Sequence, residues 1–114
     1  MSIVIHRVYE ADTHQPGHRI LVDRVWPRGI TKERARVDEW LRDLAPSTEL
    51  RKWFKHDPSR WNEFRARYRA ELTVQREELK RLKSIANETT LVLLYGAKDE
   101  EHNQAVVLAE VLRS

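Results

Sequence analysis

Three short segments concentrate residue types that can bind anions or move protons. The first is RILVDRVWPRG, residues 19–29, where Asp23 and Arg24 interrupt an apolar run. Arginine presents a planar fork of donors to carboxylates and phosphates, and the two arginines that follow the apolar run, Arg24 and Arg28, outnumber the one aspartate. We expect Arg24 and Arg28 to clamp a small anionic ligand. Asp23 would orient the arginines, and Trp26 would form a wall of the pocket.

The second segment is YGAKDEEHN, residues 95–103, and the third is WFKHDPSRW, residues 53–61. The second adds Lys98 and Asn103 as ligand-binding candidates. Candidates for proton transfer come from both segments, because a histidine titrates near neutral pH and a carboxylate can accept or orient a proton. These catalytic candidates are His56, Asp99 and His102.

Each candidate also has a structural explanation. Asp23 could pair with Arg24 or Arg28 in a buried salt bridge, and structural ion pairs of this kind resemble active sites. A lone histidine such as His56 is often structural. An acidic residue at the start of a helix, such as Asp99, interacts favourably with the positive end of the helix dipole. A metal site is not expected, because Pro16 and Gly17 interrupt the helix that would align His14 with His18. The residues imply no particular cofactor.

The elements that position these residues follow from the hydrophobic pattern. Strands are expected at residues 3–9, 19–25 and 89–96, with a loop at residues 12–18. Helices are expected from the Thr31 cap to Pro46, from the Ser47 cap through Phe54, from Asp57-Pro58 to about residue 85, and over residues 100–113. The third of these helices would be about 38 Å long.

This order predicts one α/β domain, residues 1–114, with a sheet of about three largely parallel strands flanked by four helices. A helical crossover makes the second and third strands parallel, whereas the pairing of the first strand stays open. Ligands of parallel α/β sheets bind beyond the carboxyl ends of the strands. The first two segments should therefore meet at one edge of the sheet.

Composition restricts the classes of function. The chain has no cysteine, which fits a reducing compartment and excludes a thiol nucleophile and cysteine metal sites. The N-terminus, MSIVIHRVYE, lacks a basic leader and a long apolar core, and no run reaches the length of a membrane span. We therefore expect a cytoplasmic protein with no membrane partner.

The charge distribution leaves two alternatives to a small-molecule site. Residues 19–69 hold 14 Lys and Arg against 8 Asp and Glu, whereas the rest of the chain holds 7 against 10. This basic segment could bind nucleic acid, although exposed aromatic side chains for base stacking are lacking. Alternatively, the long helix could mediate a protein interaction or a homodimer without catalysis.

Two motifs, D-R-x-W-P-R-G at residues 23–29 and W-F-x-H-D-P at residues 53–58, resemble the short, YeaO-like branch of the domain-of-unknown-function 488 family. The resemblance covers nearly the whole chain. It implies a compact bacterial α/β domain and supports the same candidate residues, together with Asp57, but it implies no particular activity. Longer relatives resemble this chain with a cysteine after the last strand. Since this chain has none, their sulfur or phosphocysteine chemistry is not carried over.

Overall fold

The computed structural model describes residues 1–10 and 16–114. Part of the predicted loop at residues 12–18, including His14, lies outside the described residues. The strands are β1 (Ser2–Arg7), β2 (His18–Leu21), β3 (Glu39–Trp40) and β4 (Thr90–Tyr95), and the α-helices are α1 (Lys32–Ala35), α2 (Thr48–Phe54), α3 (Trp61–Leu72), α4 (Arg76–Glu88) and α5 (Gln104–Arg113). Short 3₁₀ turns occupy Val8–Glu10, Arg42–Leu44 and Pro58–Arg60.

The described strands form one parallel sheet in the order β1-β4-β2-β3. Strand β4 is apolar on both faces, and it lies inside the sheet because such a strand must be covered on both sides. Its register with β1 runs from Ser2 opposite Thr90 to Arg7 opposite Tyr95. The expected α/β class and parallel sheet are confirmed, and the first strand pairs with the last. The sheet has one strand more than expected.

The two faces of the sheet carry different cores. Leu91 and Leu93 face the larger core, which also contains the buried side chains of α2, α3, α4 and α5. Val92 and Leu94 face a smaller core with Ala35 of α1. Because side chains alternate along a strand, neighbouring residues of β4 serve opposite layers. The four longer helices therefore share one face of the sheet.

The prediction of a helix between Thr31 and Pro46 is wrong over most of this stretch. Helix α1 ends after one turn, because Arg36 adopts a left-handed conformation with φ 54°. The chain then pairs with β2: the Asp38 N–H donates to the Arg19 carbonyl at 2.8 Å, and the next pairings form β3. The apolar spacing that resembled a helix belongs to a strand and a turn, since pairing with β2 satisfies this backbone instead.

The prediction of a single long helix to about residue 85 is also wrong. This stretch of chain forms two helices, α3 and α4, and the Gln75 N–H donates to the Leu72 carbonyl at their junction. A straight helix of about 38 Å would exceed the 33 Å length of the molecule. The break lets Tyr68 of α3 and Leu82 of α4 both reach the larger core. By contrast, the helix capped by Ser47 and the start at Asp57-Pro58 are confirmed.

A buried hydroxyl joins helix α3 to the 3₁₀ turn Arg42–Leu44. Tyr68 is fully buried, and its hydroxyl donates to the Leu44 carbonyl at 2.8 Å. No helix within residues 1–10 and 16–114 is long and apolar enough to cross a membrane.

Replacing Tyr68 by Phe tests this contact. The change leaves a buried carbonyl without its donor, so we expect the free energy of unfolding to fall by about 1–3 kcal/mol. Tyr9→Phe is the matched control, because it removes the same atom from an exposed hydrogen bond to the Arg28 carbonyl and should change stability by less than about 0.5 kcal/mol. Urea denaturation measures both variants. A Tyr68→Phe loss no larger than the control would contradict this role.

Candidate functional site

A cleft of about 180 Å³ lies beyond the carboxyl ends of β2 and β4. This is the edge at which parallel α/β sheets bind ligands. The polar groups of its lining come from Tyr9, Asp23, Arg24, Arg51, His56 and Gln104, and its other walls from Val25, Pro27, Pro46, Phe54, Phe64, Gly96 and Ala97. The cleft thus combines charged side chains with a largely apolar surround.

Asp23 is the carboxylate of the cleft, and it is held by neutral donors. Its side chain accepts hydrogen bonds from the Gly96 backbone N–H and from the Gln104 side-chain amide. A Cβ at position 96 would lie 2.7 Å from the Asp23 Oδ2, so a larger residue there would displace the carboxylate. Burial raises the pKa of Asp23 to about 6, although Gly96, Gln104 and the charge of Arg51 oppose the shift. Asp23 is therefore ionised at neutral pH and neutral in mild acid.

Arg24 does not form the salt bridge that the structural explanation of this segment required. Its Nε donates to the Pro46 carbonyl at 2.9 Å, and its Nη2 donates to the Ala45 carbonyl at 3.1 Å. Among the described residues, neither Arg24 nor Arg28 makes an ion pair with Asp23. Arg24 therefore fixes Pro46 as one wall of the cleft, and among the described residues its guanidinium has no carboxylate partner.

Arg51 and Gln104 complete the polar lining, and sequence reasoning missed both. Arg51 lies on α2, three residues before the buried Phe54, so both residues lie on neighbouring parts of one helix face. Its side chain is exposed and makes no hydrogen bond or ion pair with any residue that the structure describes. Gln104 is the first residue of α5, the helix that follows β4. Its position after a strand end was the available signal.

His56 reaches the cleft through an unusual backbone conformation. Lys55 and His56 are both left-handed, with φ of 48° and 55°, directly after the end of α2. The turn brings the His56 imidazole to the lining, with its ring centroid 6.2 Å from that of Phe54. Asp57 then caps the next turn by accepting the Ser59 N–H at 3.0 Å.

Four predicted ligand-binding residues do not line the cleft: Trp26, Arg28, Lys98 and Asn103. Trp26 contributes to the smaller core, with its ring 5.4 Å from that of Trp40 and its Nε1 donating to the Ile30 carbonyl at 2.7 Å. The Arg28 and Lys98 side chains are exposed. The predicted site residues therefore do not form one cluster. Asp23, Arg24 and His56 line the cleft, whereas the other predicted ligand-binding and catalytic residues lie outside its lining.

The loop between β4 and α5 uses its polar residues to start the helix. Asp99 accepts the Glu101 and His102 N–H groups at 2.9 and 3.0 Å and pairs with the His102 Nδ1 at 2.9 Å. These contacts, the Glu101 N–H foremost, lower the pKa of Asp99. Asn103 is buried and caps α5 by accepting the Val106 N–H at 3.2 Å. The structure thus makes Asn103 the N-cap of α5, and Asp99 closes the turn that precedes this helix.

His102 packs against an aromatic side chain of α3 instead of lining the cleft. Its ring stands edge-on to Trp61, with the centroids 5.2 Å apart. No group of three or more His, Asp or Glu side chains that could hold a metal ion occurs in the described part of the chain. The chemistry that the cleft itself offers is one titratable carboxylate, one imidazole and two guanidinium groups, so the lining is net cationic at neutral pH.

Comparison of the sequence with known proteins identifies related chains. Over residues 2–114 the chain matches a family described as the inactive DUF488-N3 subclade. It is 48% identical to the "Uncharacterized protein YeaO" of Escherichia coli K12, over 100% of this chain and 99% of that protein. It is 39% identical to "Uncharacterized protein Mb3100c" of Mycobacterium bovis and "Uncharacterized protein Rv3073c" of Mycobacterium tuberculosis, over 95% of this chain and 91% of each relative. No solved structure matches the chain.

Replacing Asp23 by Asn should change the pH dependence of stability. A carboxyl whose pKa is higher in the folded state binds more protons when folded, so its contribution to stability is lost as pH rises from about 4 to about 6. The loss reaches at most about 3 kcal/mol. The Asn variant lacks this loss, so its stability relative to the wild type should rise over that interval in urea denaturation.

Asp57→Asn provides a control of opposite sign. Hydrogen bonds from the Ser59 hydroxyl and N–H lower the pKa of Asp57, so this carboxylate contributes stability that is lost as pH falls. Relative to the wild type, the Asp57→Asn variant should therefore lose stability as pH rises toward the ordinary aspartate pKa of 3.8, and it should change little above that value. A stability difference between Asp23→Asn and the wild type that stays constant from about pH 4 to about pH 6 would contradict the assigned burial of Asp23.

Proposed function

The chain belongs to the inactive DUF488-N3 subclade, and from this membership we propose that it is a binding protein without turnover. Its cleft holds a small ligand that carries an acidic group, either a carboxylate or a phosphate. The description of the subclade as inactive and the absence of cysteine from the chain support binding over catalysis. The charge of the lining supports an acidic ligand.

One observation carries the proposal: the Arg51 guanidinium stands at the cleft without a protein partner among the described residues. Arg24 adds a second positive charge whose donors contact only carbonyl groups in this part of the chain. Asp23 supplies one negative charge against these two. A guanidinium binds carboxylates and phosphates through two parallel hydrogen bonds, which gives both affinity and orientation. An acidic group beside Arg51 would therefore complete the charge balance of the cleft.

The placement of the proton-transfer candidates also supports binding without turnover. A general base must lie within hydrogen-bond reach of the proton that it removes. The His102–Asp99 pair is engaged at the start of α5 and does not line the cleft. His56 lines the cleft, but no described carboxylate orients its ring. Within residues 1–10 and 16–114, the site therefore has a histidine without the partner that would fix its tautomer.

Nucleic-acid binding by residues 19–69 has less support than a small acidic ligand. The arginines of α3 that would contact phosphates are paired with carboxylates. Arg65 and Arg69 both contact Glu110, at 2.7 and 3.2 Å, and Arg67 pairs with Glu63. These pairs are typical of a solvated helix face. The break between α3 and α4 likewise removes the long continuous helix on which the homodimer alternative rested.

Replacing Arg51 by Ala tests the acidic-ligand proposal. A panel of small carboxylates and organic phosphates is screened by thermal shift, and the affinities of those that bind are measured by calorimetry. Loss of a charge-assisted hydrogen bond should weaken binding at least about tenfold. Lys52→Ala is the matched control, since Lys52 is the next residue of α2, carries the same charge and does not line the cleft.

The control and Arg28→Ala should bind as the wild type does, because neither side chain lines the cleft. Equal weakening by Arg51→Ala and Lys52→Ala would show a diffuse charge effect and contradict a specific site. Absence of any bound acid from the panel would contradict the proposal as a whole.

The nucleic-acid alternative makes a separate prediction. Binding through phosphates weakens steeply with salt, with a slope set by the number of phosphates contacted. We expect no gel shift of duplex DNA or single-stranded RNA at low salt, and no change on replacing Arg65 by Ala. A low-salt complex whose affinity falls steeply with salt, and more gently in Arg65→Ala, would favour nucleic acid.

A further inference from the structure

We infer that the ligand is a zwitterion of the amino-acid type: its ammonium group contacts Asp23, its carboxylate contacts Arg51, and its apolar side chain packs on Phe54 and Phe64. The inference rests on the proposed function and adds a second, cationic group to the ligand. It follows from two opposite charges that line one cleft, neither of which forms an ion pair with a residue that the structure describes.

Asp23 has acceptor capacity that the protein does not use. An ionised carboxylate offers about four lone-pair positions on its two oxygens. Among the described residues Asp23 receives two donors, the Gly96 N–H and the Gln104 amide, and both are neutral. A partly buried carboxylate without a cationic partner is costly, and the raised pKa of Asp23 expresses that cost. A cationic N–H donor within the cleft would stabilise the ionised form.

Arg51 is near enough to influence Asp23 but does not neutralise it by contact. Its charge lowers the pKa of Asp23, yet the structure gives no ion pair between these two described side chains. Because Arg51 and Asp23 line the same cleft without contacting each other, the cleft suits a ligand that carries both a positive and a negative group. An ammonium and a carboxylate on one small molecule would each find the opposite charge, and neither would be left unpaired in a partly buried site.

The remaining walls indicate an apolar side chain. Phe54 and Phe64 stack with their centroids 4.2 Å apart, and Pro27 and Pro46 add rigid apolar surface. The Tyr9 hydroxyl donates to the Arg28 carbonyl at 2.7 Å, so its proton is already used. A volume of about 180 Å³ limits the ligand to a small molecule. Apolar amino acids meet these conditions.

The sign of the pH dependence separates this ligand from a simple acid. An ammonium binds the ionised form of Asp23, so its affinity should rise with pH through about 6. A simple carboxylate is repelled by that form and shares a proton with the neutral one, so its affinity should fall. The other charged or titratable groups facing Asp23 are Arg24, Arg51, His56, Tyr9 and Tyr68. Burial raises the pKa of Tyr68, which keeps it neutral.

The experiment compares three matched probes for each side chain: an amino acid, the acid lacking its amino group, and the amine lacking its carboxylate. Leucine, isocaproic acid and isoamylamine form one set, and phenylalanine, hydrocinnamic acid and phenethylamine form the other. Calorimetry from about pH 5 to about pH 8 gives the affinities. At the upper end of this range we expect the amino acid of at least one set to bind at least about tenfold more tightly than its acid and its amine.

Two variants assign the effect to its residue. Asp23→Asn should abolish the preference for the amino acid while still binding the matched acid, which also shows that the variant is folded. His56→Gln should keep the rise in affinity with pH. If that rise disappears in His56→Gln and persists in Asp23→Asn, the ammonium is not on Asp23 and the inference is overturned.

The outcomes distinguish this inference from the proposed function. If the acid binds as tightly as the amino acid, and its affinity falls with pH, the zwitterion is wrong and the acidic-ligand site stands. If the amine binds as tightly as the amino acid and Arg51→Ala has no effect, the acidic group is not recognised and both fail. If no probe of either set binds, the zwitterion is rejected, and the wider panel of carboxylates and phosphates decides the proposed function by itself.

Discussion

The parallel pairing of β4 with β1 on one side and β2 on the other is the constraint on which the rest of the structure depends. All six residues of β4 pair with β1, and four of them have partners in β2 as well. A strand with both edges and both faces covered has its backbone hydrogen bonds satisfied without water. This pairing brings the residues after Leu21 and the residues after Tyr95 to one edge of the sheet. The cleft forms where these two chain segments leave the strands.

Asp23 ties these elements together chemically. It follows β2, accepts from Gly96 after β4, and accepts from Gln104 at the start of α5. The protein thus keeps an ionisable group at its strand ends with neutral hydrogen bonds, although a carboxylate is costly to bury. The arrangement differs from a structural salt bridge because the arginine next in sequence contacts the carbonyls of a neighbouring segment instead. Charges of both signs, which form no ion pair with any described residue, therefore line one cleft.

The sheet and the two capped helix starts at Ser47 and Asp57 were predictable because local patterns agree with their surroundings. The apolar run of β4 indicates a buried strand in any compact fold. The stretch around Trp40 was not predictable in the same way. Its apolar spacing fits a helix, but Trp40 lies in β3, and its Nε1 donates to the Asp23 carbonyl at 2.7 Å. The gain from pairing with β2 outweighed the local helical preference.

The sequence by itself determined the α/β class, the family, the absence of cysteine and the position of Asp23 and Arg24 after the end of a buried strand. Only the tertiary structure decided which side chains share a cleft. Arg51 and Gln104 are separated from Asp23 by tens of residues in sequence, whereas Arg28, only five residues away, does not line the cleft. The physical reason is that strand and helix packing sets the direction of each side chain, and spacing along the chain specifies direction only within a single element.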